Sequence, residues 1–374
     1  MAAAWVEWDE GGTQHRARWR SAAGHPAPRR IVVADDSLRA DEAYALVSQG
    51  TALLWRGDFH NARQLLQALA RRMDRRRPKA GATLSETFHL HRQAQAQRSR
   101  TLGLLLLPLD GAYSVPLRRA PELRAACEEV LGAADGEAGL ISLRELQGLV
   151  GAHEWRKKGV PVPALGGRIH PWYGVFSPVR GEYLDLVGEA PLPATRLAFD
   201  IGTGTGVLAA LLAWRGVERV VATDCAASAL ACARENVERL GLAGQVDVVE
   251  ADLFPPGRAP LVVCNPPWVP GKPATAIEAA IYDPESRMLK GFLAGVAAHL
   301  EPGGEAWLIL SDLAEHLGLR QREDVLAAIT AGGLAVIGRL DIRPRHGKAA
   351  DPDDPLHAAR SRETTSLWRL VARG

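Results

Sequence analysis

In the second half of the chain, short apolar runs alternate with segments of helical periodicity. The apolar runs cover residues 196–201, 219–223, 246–249, 261–264 and 305–310, and helical patterns cover 207–214 and 226–240. Apolar runs of this length between helices are typical of strands that are buried on both faces of a parallel sheet. Two further runs, 334–342 and 365–371, fit a final antiparallel pair. The pattern predicts an α/β fold with a doubly wound, seven-stranded, Rossmann-like sheet.

The first half of the chain has a different pattern. Residues 59–73 keep one apolar helical face, and further helices are predicted at 121–131 and from Ser142. Two apolar runs, 102–107 and 112–117, flank Asp110-Gly111 and predict a β-hairpin. Residues 1–30 are predicted to be loosely structured, because they contain Gly11-Gly12 and two prolines. The Pro- and Gly-rich segment 160–167 predicts a linker, so we expect a mainly α domain with a hairpin at 1–165 and the sheet domain at 166–374.

The composition is typical of a globular protein from a reducing compartment. With 374 residues, 47% of them hydrophobic, the chain is long enough for two domains. Its four cysteines, Cys127, Cys225, Cys232 and Cys264, have no spacing typical of a disulfide framework or a metal site, so no metal is predicted. No signal-peptide region is evident, and no run approaches the roughly 18 apolar residues of a membrane span. We therefore expect a cytoplasmic protein that contacts no membrane.

The formal net charge of +2 hides an asymmetry between the two halves. Residues 1–165 contain 24 Lys or Arg and 18 Asp or Glu, a balance of +6, whereas the remainder has a balance of −4. The densest basic stretch is Arg71 to Lys79, with six cations in nine residues. Such a stretch can neutralise phosphates, so one interpretation is contact with RNA or a ribosomal particle. The other is a solvated helix end, where cations are favoured by the helix dipole.

Polar and glycine residues follow the predicted strands where each strand ends. The first strand leads through Asp200 into Gly202-Thr203-Gly204-Thr205-Gly206, the second ends in Asp224, and the third leads to Asp252-Leu253. Glycines let the backbone approach a ligand closely, and the following helix start offers unpaired N–H groups. An acidic side chain after the second strand can accept both hydroxyls of a ribose. Open α/β sheets bind ligands at this edge.

The fourth strand ends in Asn265-Pro266-Pro267-Trp268. The Asn265 side-chain oxygen and the Pro266 carbonyl can both accept hydrogen bonds from one NH2 group, and the two prolines rigidify the backbone that presents them. Trp268 offers a flat face on which an amide or a base can stack. An ordinary Pro-rich strand exit is the alternative explanation, but the motif follows the three strand ends described above. The sequence therefore predicts a site for a planar nitrogen.

A nicotinamide dehydrogenase is a competing hypothesis, because Gly204-Thr-Gly-Val-Leu-Ala209 matches the dinucleotide pattern G-x-G-x-x-A. That match is weak when it stands alone. Asp224 is compatible with both hypotheses, but hydride transfer gives no role to Asp200 or to Asn265-Pro-Pro-Trp268. The motifs therefore favour methyl transfer.

In this order, the motifs resemble the class I S-adenosylmethionine-dependent methyltransferases, and among these the HemK-type protein-glutamine methyltransferases. The resemblance covers residues 166–374 and includes Asp252-Leu-Phe254 and Asn265-Pro-Pro-Trp-Val-Pro270. It implies S-adenosylmethionine as cofactor, with Gly202 and Gly204 beneath its methionine part. It also implies Asp224 at the ribose, Asp252 and Leu253 at the adenine, and Asn265 and Pro266 at the acceptor nitrogen. The full predicted cofactor-binding set is Asp200, Gly202, Thr203, Gly204, Gly206, Asp224, Asp252, Leu253 and Asn265; the predicted catalytic set is Asn265, Pro266, Pro267 and Trp268.

The resemblance also has limits along the chain. The segment Trp172 to Tyr183 resembles the entry strand and first helix that cover the donor pocket, which would bring Phe176, Ser177 and Arg180 near it. After the fourth strand, Ser286 to Phe292 replaces a glycine-rich stretch, and the fifth strand ends in Ser311-Asp312 instead of a Glu-Ile-Gly-like sequence. The N-terminal half does not resemble the helical bundle that recognises release factors in the HemK type.

The predicted activity is methyl transfer from S-adenosylmethionine to a planar nitrogen of a macromolecule. The favoured acceptor is a glutamine side-chain amide of a translation protein, and the alternative is an exocyclic amine of adenine or guanine in rRNA or tRNA. A small-molecule acceptor is less favoured. A non-catalytic S-adenosylmethionine-binding module is also less favoured, because a scaffold has no use for a rigid NH2 site. Acceptor identity, oligomeric state and the role of the N-terminal domain are not determined by the sequence.

Overall fold

A computed structural model describes residues 4–75, 80–178, 181–345 and 351–373. The chain divides into two compact units. The first contains Met1–Lys79 and His89–Glu154, and the second contains Ala80–Phe88 and Trp155–Gly374. The predicted division into a domain at 1–165 and a methyltransferase-like domain at 166–374 stays a prediction. No helix in the described ranges is long and apolar enough to cross a membrane.

The first unit contains a six-stranded mixed sheet, so its predicted mainly α character with one hairpin is wrong. The strand order is β1-β2-β6-β5-β4-β3. Its strands are β1 (Trp5–Glu10), β2 (Thr13–Arg20), β3 (Ile31–Ala34), β4 (Ala52–Trp55), β5 (Leu105–Leu109) and β6 (Gly139–Ser142). The helices from this part of the chain are α1 (Ala40–Ser48), α2 (Phe59–Asp74), α3 (Leu84–Leu102), α4 (Arg124–Leu131) and α5 (Leu143–Lys158).

Residues 5–20 form one edge of this sheet as β1 and β2, which corrects the prediction that residues 1–30 are loosely structured. Strands β1 and β2 pair antiparallel, with Glu10 opposite Thr13, so Gly11-Gly12 is a two-residue hairpin turn. Both glycines have positive φ, 63° and 81°, as tight hairpin turns require. Val6 and Trp8 are buried at alternate positions of β1, which is the period of a half-buried strand. The glycine pair signalled a turn, not disorder.

The hairpin predicted at 102–117 is also wrong. Strand β5 pairs antiparallel with β6 and parallel with β4, and no strand covers residues 112–117. The Asp110 carboxylate accepts hydrogen bonds from the backbone N–H groups of Ala112 (2.9 Å) and Ser114 (2.7 Å). These bonds compete with sheet pairing, because they hold the chain in a local turn after β5.

The second unit contains a seven-stranded sheet of order β11-β10-β9-β12-β15-β17-β16, and the predicted α/β class is confirmed. Strand β17 runs antiparallel to both of its neighbours, β15 and β16, whereas the other neighbouring strands of the described sheet pair parallel. The strands of the unit are β7 (Val160–Val162), β8 (Gly167–Ile169), β9 (Leu197–Ile201), β10 (Arg219–Asp224), β11 (Val246–Glu250), β12 (Ala259–Cys264), β13 (Val269–Pro270), β14 (Tyr282–Asp283), β15 (Leu300–Ser311), β16 (Leu334–Ile342) and β17 (Thr365–Ala372). Its helices are α6 (Glu182–Glu189), α7 (Val207–Trp214), α8 (Ala227–Arg239), α9 (Arg287–Gly295), α10 (Leu313–His316), α11 (Arg322–Ala331) and α12 (His357–Arg360).

Apolar side chains cover both faces of the seven-stranded sheet. Along β12, Leu261 and Val263 belong to a cluster with residues of α6 and α7, whereas Val262 and Cys264 belong to a cluster with residues of α9 and α11. Consecutive strand residues point to opposite faces. This explains why the central strands are apolar throughout: each face is covered by helices.

Candidate active site

Four strand ends meet at one edge of the seven-stranded sheet. Ile201, the last residue of β9, lies opposite Thr223 of β10 and Cys264 of β12. On the far side of β10, Asp224 lies opposite Glu250 of β11. These parallel registers place the segments that begin at Gly202, Asp224, Ala251 and Asn265 at the same edge. The polar residues predicted from the sequence therefore come together in space.

The glycine turn follows β9 and leads into helix α7. Gly202, Gly204 and Gly206 have φ values of 72°, 57° and 80°, a region that favours glycine. Within the part of the chain that the structure describes, a Cβ built on Gly204 would meet no atom within 4 Å, so these residues leave space beside the turn there. A Cβ on Gly206 would lie 3.3 Å from the Cα of Ala233, so this glycine permits close packing against α8. The turn therefore has one glycine beside open space and one inside a helix contact.

Asp200 is a fully buried carboxylate at the base of this turn. Its Oδ2 accepts hydrogen bonds from the hydroxyl of Thr203 (2.6 Å) and the backbone N–H of Ala209 (3.1 Å). Its Oδ1 is buried and has no hydrogen-bond partner among the described residues. Burial, together with the nearby charge of Asp224, raises the pKa of Asp200 to about 6 despite those two bonds. An unpartnered buried carboxylate oxygen is costly, and a cation or a hydrogen-bond donor that met it would reduce this cost.

Asp224 holds two loops at the end of β10. One carboxylate oxygen accepts the N–H of Gly204 (3.0 Å) and the other accepts the N–H of Ala226 (2.9 Å). The side chain is half-buried, and a carboxylate has lone pairs left for further donors. Asp224 therefore lies in contact with the glycine turn and can still accept hydroxyl groups.

The segment after β11 contains a backbone feature that the sequence did not predict. Leu253 has a φ of 72°, and its carbonyl accepts a hydrogen bond from the hydroxyl of Thr223 (2.6 Å). A non-glycine residue in this region costs about 1 to 3 kcal/mol, and such residues cluster at ligand sites. Asp252, immediately before it, is exposed at the edge.

The motif after β12 places an amide oxygen beside a carbonyl. Asn265 is half-buried, and its Oδ1 accepts a hydrogen bond from the indole N–H of Trp268 at 2.8 Å. Pro266 is buried, and its carbonyl receives no hydrogen bond from the residues that the structure describes. Pro267 extends the rigid backbone from Pro266 to Trp268. The stacking role of Trp268 stays a prediction, since the structure instead places its N–H on Asn265.

Three residues near these strand ends were not predicted. The Met288 methyl group lies where a Cβ on Gly202 would point, 2.5 Å from that position. Asp283, which is buried, caps helix α9 by accepting the N–H groups of Met288 (2.9 Å) and Leu289 (3.3 Å). Arg320 is buried and donates to the carbonyl of Trp268 at 3.3 Å. Only Asp283 carries a sequence signal, an Asp followed by proline ahead of a helical segment.

The other predicted residues have mixed outcomes. The hydroxyl of Ser177 is buried without a hydrogen-bond partner, while Arg180 lies outside the described residues. In the basic stretch, Arg72 forms an ion pair with Asp41 (2.6 Å). Arg71 and Arg75 are the other arginines of this stretch that the structure describes. Residues 76–79 of that stretch also lie outside the described ranges.

Comparisons with known proteins agree with this geometry. A family profile described as "Methyltransferase small domain" matches residues 184–322. The release factor glutamine methyltransferase of Cereibacter sphaeroides is 34% identical over 183 residues, covering 44% of this chain and 63% of that protein. The ribosomal protein L11 methyltransferase of Pelotomaculum thermopropionicum is 33% identical over 287 residues, covering 70% and 82%. The tRNA1(Val) (adenine(37)-N6)-methyltransferase of Tolumonas auensis is 30% identical over 178 residues, covering 46% and 72%.

The chain thus spans less than two thirds of the length of the Cereibacter sphaeroides relative, and more than two thirds of the length of each of the other two relatives. The residues that the profile matches, 184–322, include the glycine turn, Asp224 and the Asn265 motif. These matches confirm the resemblance that was predicted from those residues.

The raised pKa of Asp200 predicts an unusual dependence of stability on pH. A carboxyl group whose pKa is higher in the folded than in the unfolded protein stabilises the fold at low pH, and this contribution is lost as the pH rises through about 6. Asp200→Asn removes the titration. As the pH rises from about 4 to about 8, wild type should therefore lose up to about 3 kcal/mol of its free energy of unfolding relative to Asp200→Asn. The variant should compare most favourably with wild type at the upper end of this range. Denaturant titration of the ligand-free proteins measures this difference.

The matched control is Asp252→Asn, because Asp252 is exposed at the same edge. Its free energy of unfolding should follow wild type across the pH range. Parallel curves for wild type and Asp200→Asn would show that burial does not raise the pKa of the Asp200 carboxylate.

Proposed function

Because this chain belongs to the class I S-adenosylmethionine-dependent methyltransferases, we propose that it methylates a planar nitrogen of a translation macromolecule, with a glutamine side-chain amide as the favoured acceptor. The observation that carries the proposal is the position of Asn265 and the free Pro266 carbonyl directly beside the glycine turn. When bound, S-adenosylmethionine would supply an electrophilic methyl group, so that a nitrogen–carbon bond forms as the sulfur–methyl bond breaks, and the methylated nitrogen then releases one proton to water.

The residues around the glycine turn fit this cofactor. The unpartnered Oδ1 of Asp200 suits the cationic methionine part, and the open space beside Gly204 admits a ligand next to the backbone. Asp224 would accept the ribose hydroxyls, and Asp252 with Leu253 would border the adenine. Thr203 would hold the Asp200 carboxylate in place through its hydroxyl. These assignments remain proposals about which side chain serves which part of the cofactor.

The acceptor side acts through hydrogen-bond geometry. An amide or aryl amine nitrogen is a poor nucleophile, because its lone pair is delocalised into the neighbouring π system. Two acceptors, Asn265 Oδ1 and the Pro266 carbonyl, would take the two N–H groups, push electron density back onto the nitrogen and fix its direction. Positioning and electrostatic stabilisation of this kind account for most of the rate gain in such reactions. A separate general base is not required by this arrangement.

The relatives support a protein acceptor without deciding it. One is named for release factor glutamine and another, which matches over 70% of this chain, for ribosomal protein L11. The alternative, an exocyclic amine in rRNA or tRNA, has its own support in the relative named for adenine of tRNA1(Val). RNA contact through Arg71 to Lys79 belongs to this alternative. A small-molecule acceptor or a non-catalytic module has no comparable support.

We also infer that the second unit is a doubly wound methyltransferase sheet, since helices and apolar clusters lie on both of its faces. The first unit would then serve acceptor recognition.

Label transfer tests the function directly. The protein is incubated with S-adenosylmethionine labelled in its methyl group and an extract from cells that lack the protein. We expect the label to be bound to a polymer. Protease digestion should release this label, and nuclease digestion should not. Nuclease-sensitive label would select the RNA alternative, and the absence of label in either polymer would contradict a macromolecular acceptor.

Asp224→Ala should lose donor affinity. Hydrogen bonds to a charged acceptor contribute roughly 1.5 to 3 kcal/mol. We expect the variant to lose about 2 kcal/mol of donor affinity or more, so it should bind S-adenosylmethionine at least about 30-fold more weakly. Calorimetry measures this affinity, and the circular dichroism spectrum checks that the variant is folded, because Asp224 also holds Gly204 and Ala226. Equal affinity in a folded variant would remove Asp224 from the site.

Asn265→Ala should separate donor binding from turnover. The side chain is assigned to the acceptor nitrogen, so S-adenosylmethionine affinity should stay near the wild-type value while label transfer falls by about a hundredfold or more. Both quantities are measured on the same preparation. A parallel loss of donor affinity would assign Asn265 a structural or donor-binding role instead.

A further inference from the structure

The indole of Trp268 makes a specific hydrogen bond to the side chain that is assigned to the acceptor. Its Nε1–H donates to Oδ1 of Asn265 at 2.8 Å. An indole N–H can only donate, and an amide NH2 group can only donate as well. The bond therefore distinguishes the oxygen end of the Asn265 carboxamide from its nitrogen end, two ends that have nearly the same shape.

Trp268 is itself held on several sides. Its ring packs against three apolar clusters of the second unit. Its backbone carbonyl accepts a hydrogen bond from Nη1 of Arg320, whose Nη2 donates to the carbonyl of Ser311, both at 3.3 Å. Arg320 is buried, and burial lowers its pKa from the usual value. Packing therefore holds the side chain of Trp268, and Arg320 holds its backbone, while the indole N–H is directed at Asn265.

This orientation matters because the Asn265 amide has two ends with opposite hydrogen-bonding character. An amide oxygen has two lone pairs, and Trp268 takes one of them. The other remains for a donor from the acceptor group. If the carboxamide rotated by half a turn, its own NH2 would face the NH2 of the acceptor, and no hydrogen bond could form between two donors.

We propose that Trp268 is a positioning residue, whose indole N–H keeps the oxygen of Asn265 directed at the acceptor nitrogen. This inference rests on the proposed function, and it differs from the stacking role, which needs only the face of the ring. A phenylalanine would keep an aromatic face but lose the N–H. A tyrosine hydroxyl lies in a different place from the indole nitrogen and would not restore the same bond.

The decisive variant removes the N–H and keeps the fused ring. In Trp268→β-(3-benzothienyl)alanine, sulfur replaces the indole N–H in a ring of nearly the same size. We expect transfer of labelled methyl groups to polymers of the extract to fall about tenfold, the equivalent of one lost hydrogen bond, with unchanged affinity for S-adenosylmethionine. A wild-type rate in this variant would overturn the inference and leave stacking as the role. The control is the same replacement at Trp214, which is 59% exposed and should have no effect.

A second measurement does not depend on activity. In 15N-labelled, ligand-free protein, the indole N–H of Trp268 should exchange slowly with solvent. Asn265→Ala should accelerate this exchange, and Asn265→Asp, which keeps an oxygen acceptor, should preserve the protection. Exchange as fast as that of Trp214 in the wild type would show that the bond is absent and would overturn the inference.

The two levels of the proposal fail in different ways. Failure of the wild type to bind S-adenosylmethionine or to transfer label would contradict the proposed function, and with it the positioning role. Normal binding and transfer by the wild type, together with full activity of the benzothienyl variant, would contradict the positioning role alone.

Discussion

The buried carboxylate of Asp200 sets the geometry of the whole edge. It joins the end of β9 to the glycine turn through Thr203 and to the start of α7 through Ala209. One of its oxygens nevertheless lacks a partner, and burial raises its pKa to about 6. A protein pays for such an arrangement in stability, so the carboxylate is expected to be completed by a ligand that carries positive charge.

The donor and acceptor sides of the site are connected through short elements after Trp268. Val269 of β13 pairs with Tyr282 of β14, and the next residue of β14, Asp283, caps helix α9. The first turn of α9 contains Met288, whose methyl group lies against the glycine turn. A displacement of the Asn265 motif would therefore also displace the residues that contact the glycine turn. A rigid motif keeps these contacts in place.

The sequence predicted the second unit well because its signals are local. Buried strands read as apolar runs, and the residues at their ends follow within a few positions, so the sequence predicted that Asp200, Asp224 and Asn265 lie at one edge of the sheet. The first unit was mispredicted because its sheet depends on long-range pairing: β2 pairs with β6, with Arg20 opposite Ile141. No local pattern records such a partner. The Trp268 bond to Asn265 and the positive φ of Leu253 were missed for a related reason, since side-chain direction and an unusual backbone conformation depend on tertiary contacts that no local pattern records.

The most direct test of the account measures protons at the Asp200 carboxylate while S-adenosylmethionine binds. Calorimetry at pH 6 in buffers of different ionisation enthalpy gives the number of protons released. Since Asp200 has a pKa of about 6, a cationic ligand beside it should release up to about half a proton more from wild type than from Asp200→Asn. This excess should vanish at pH 8, where the carboxylate is already ionised. Equal proton release by the two proteins at pH 6, with equal affinity, would contradict a cofactor site built on Asp200.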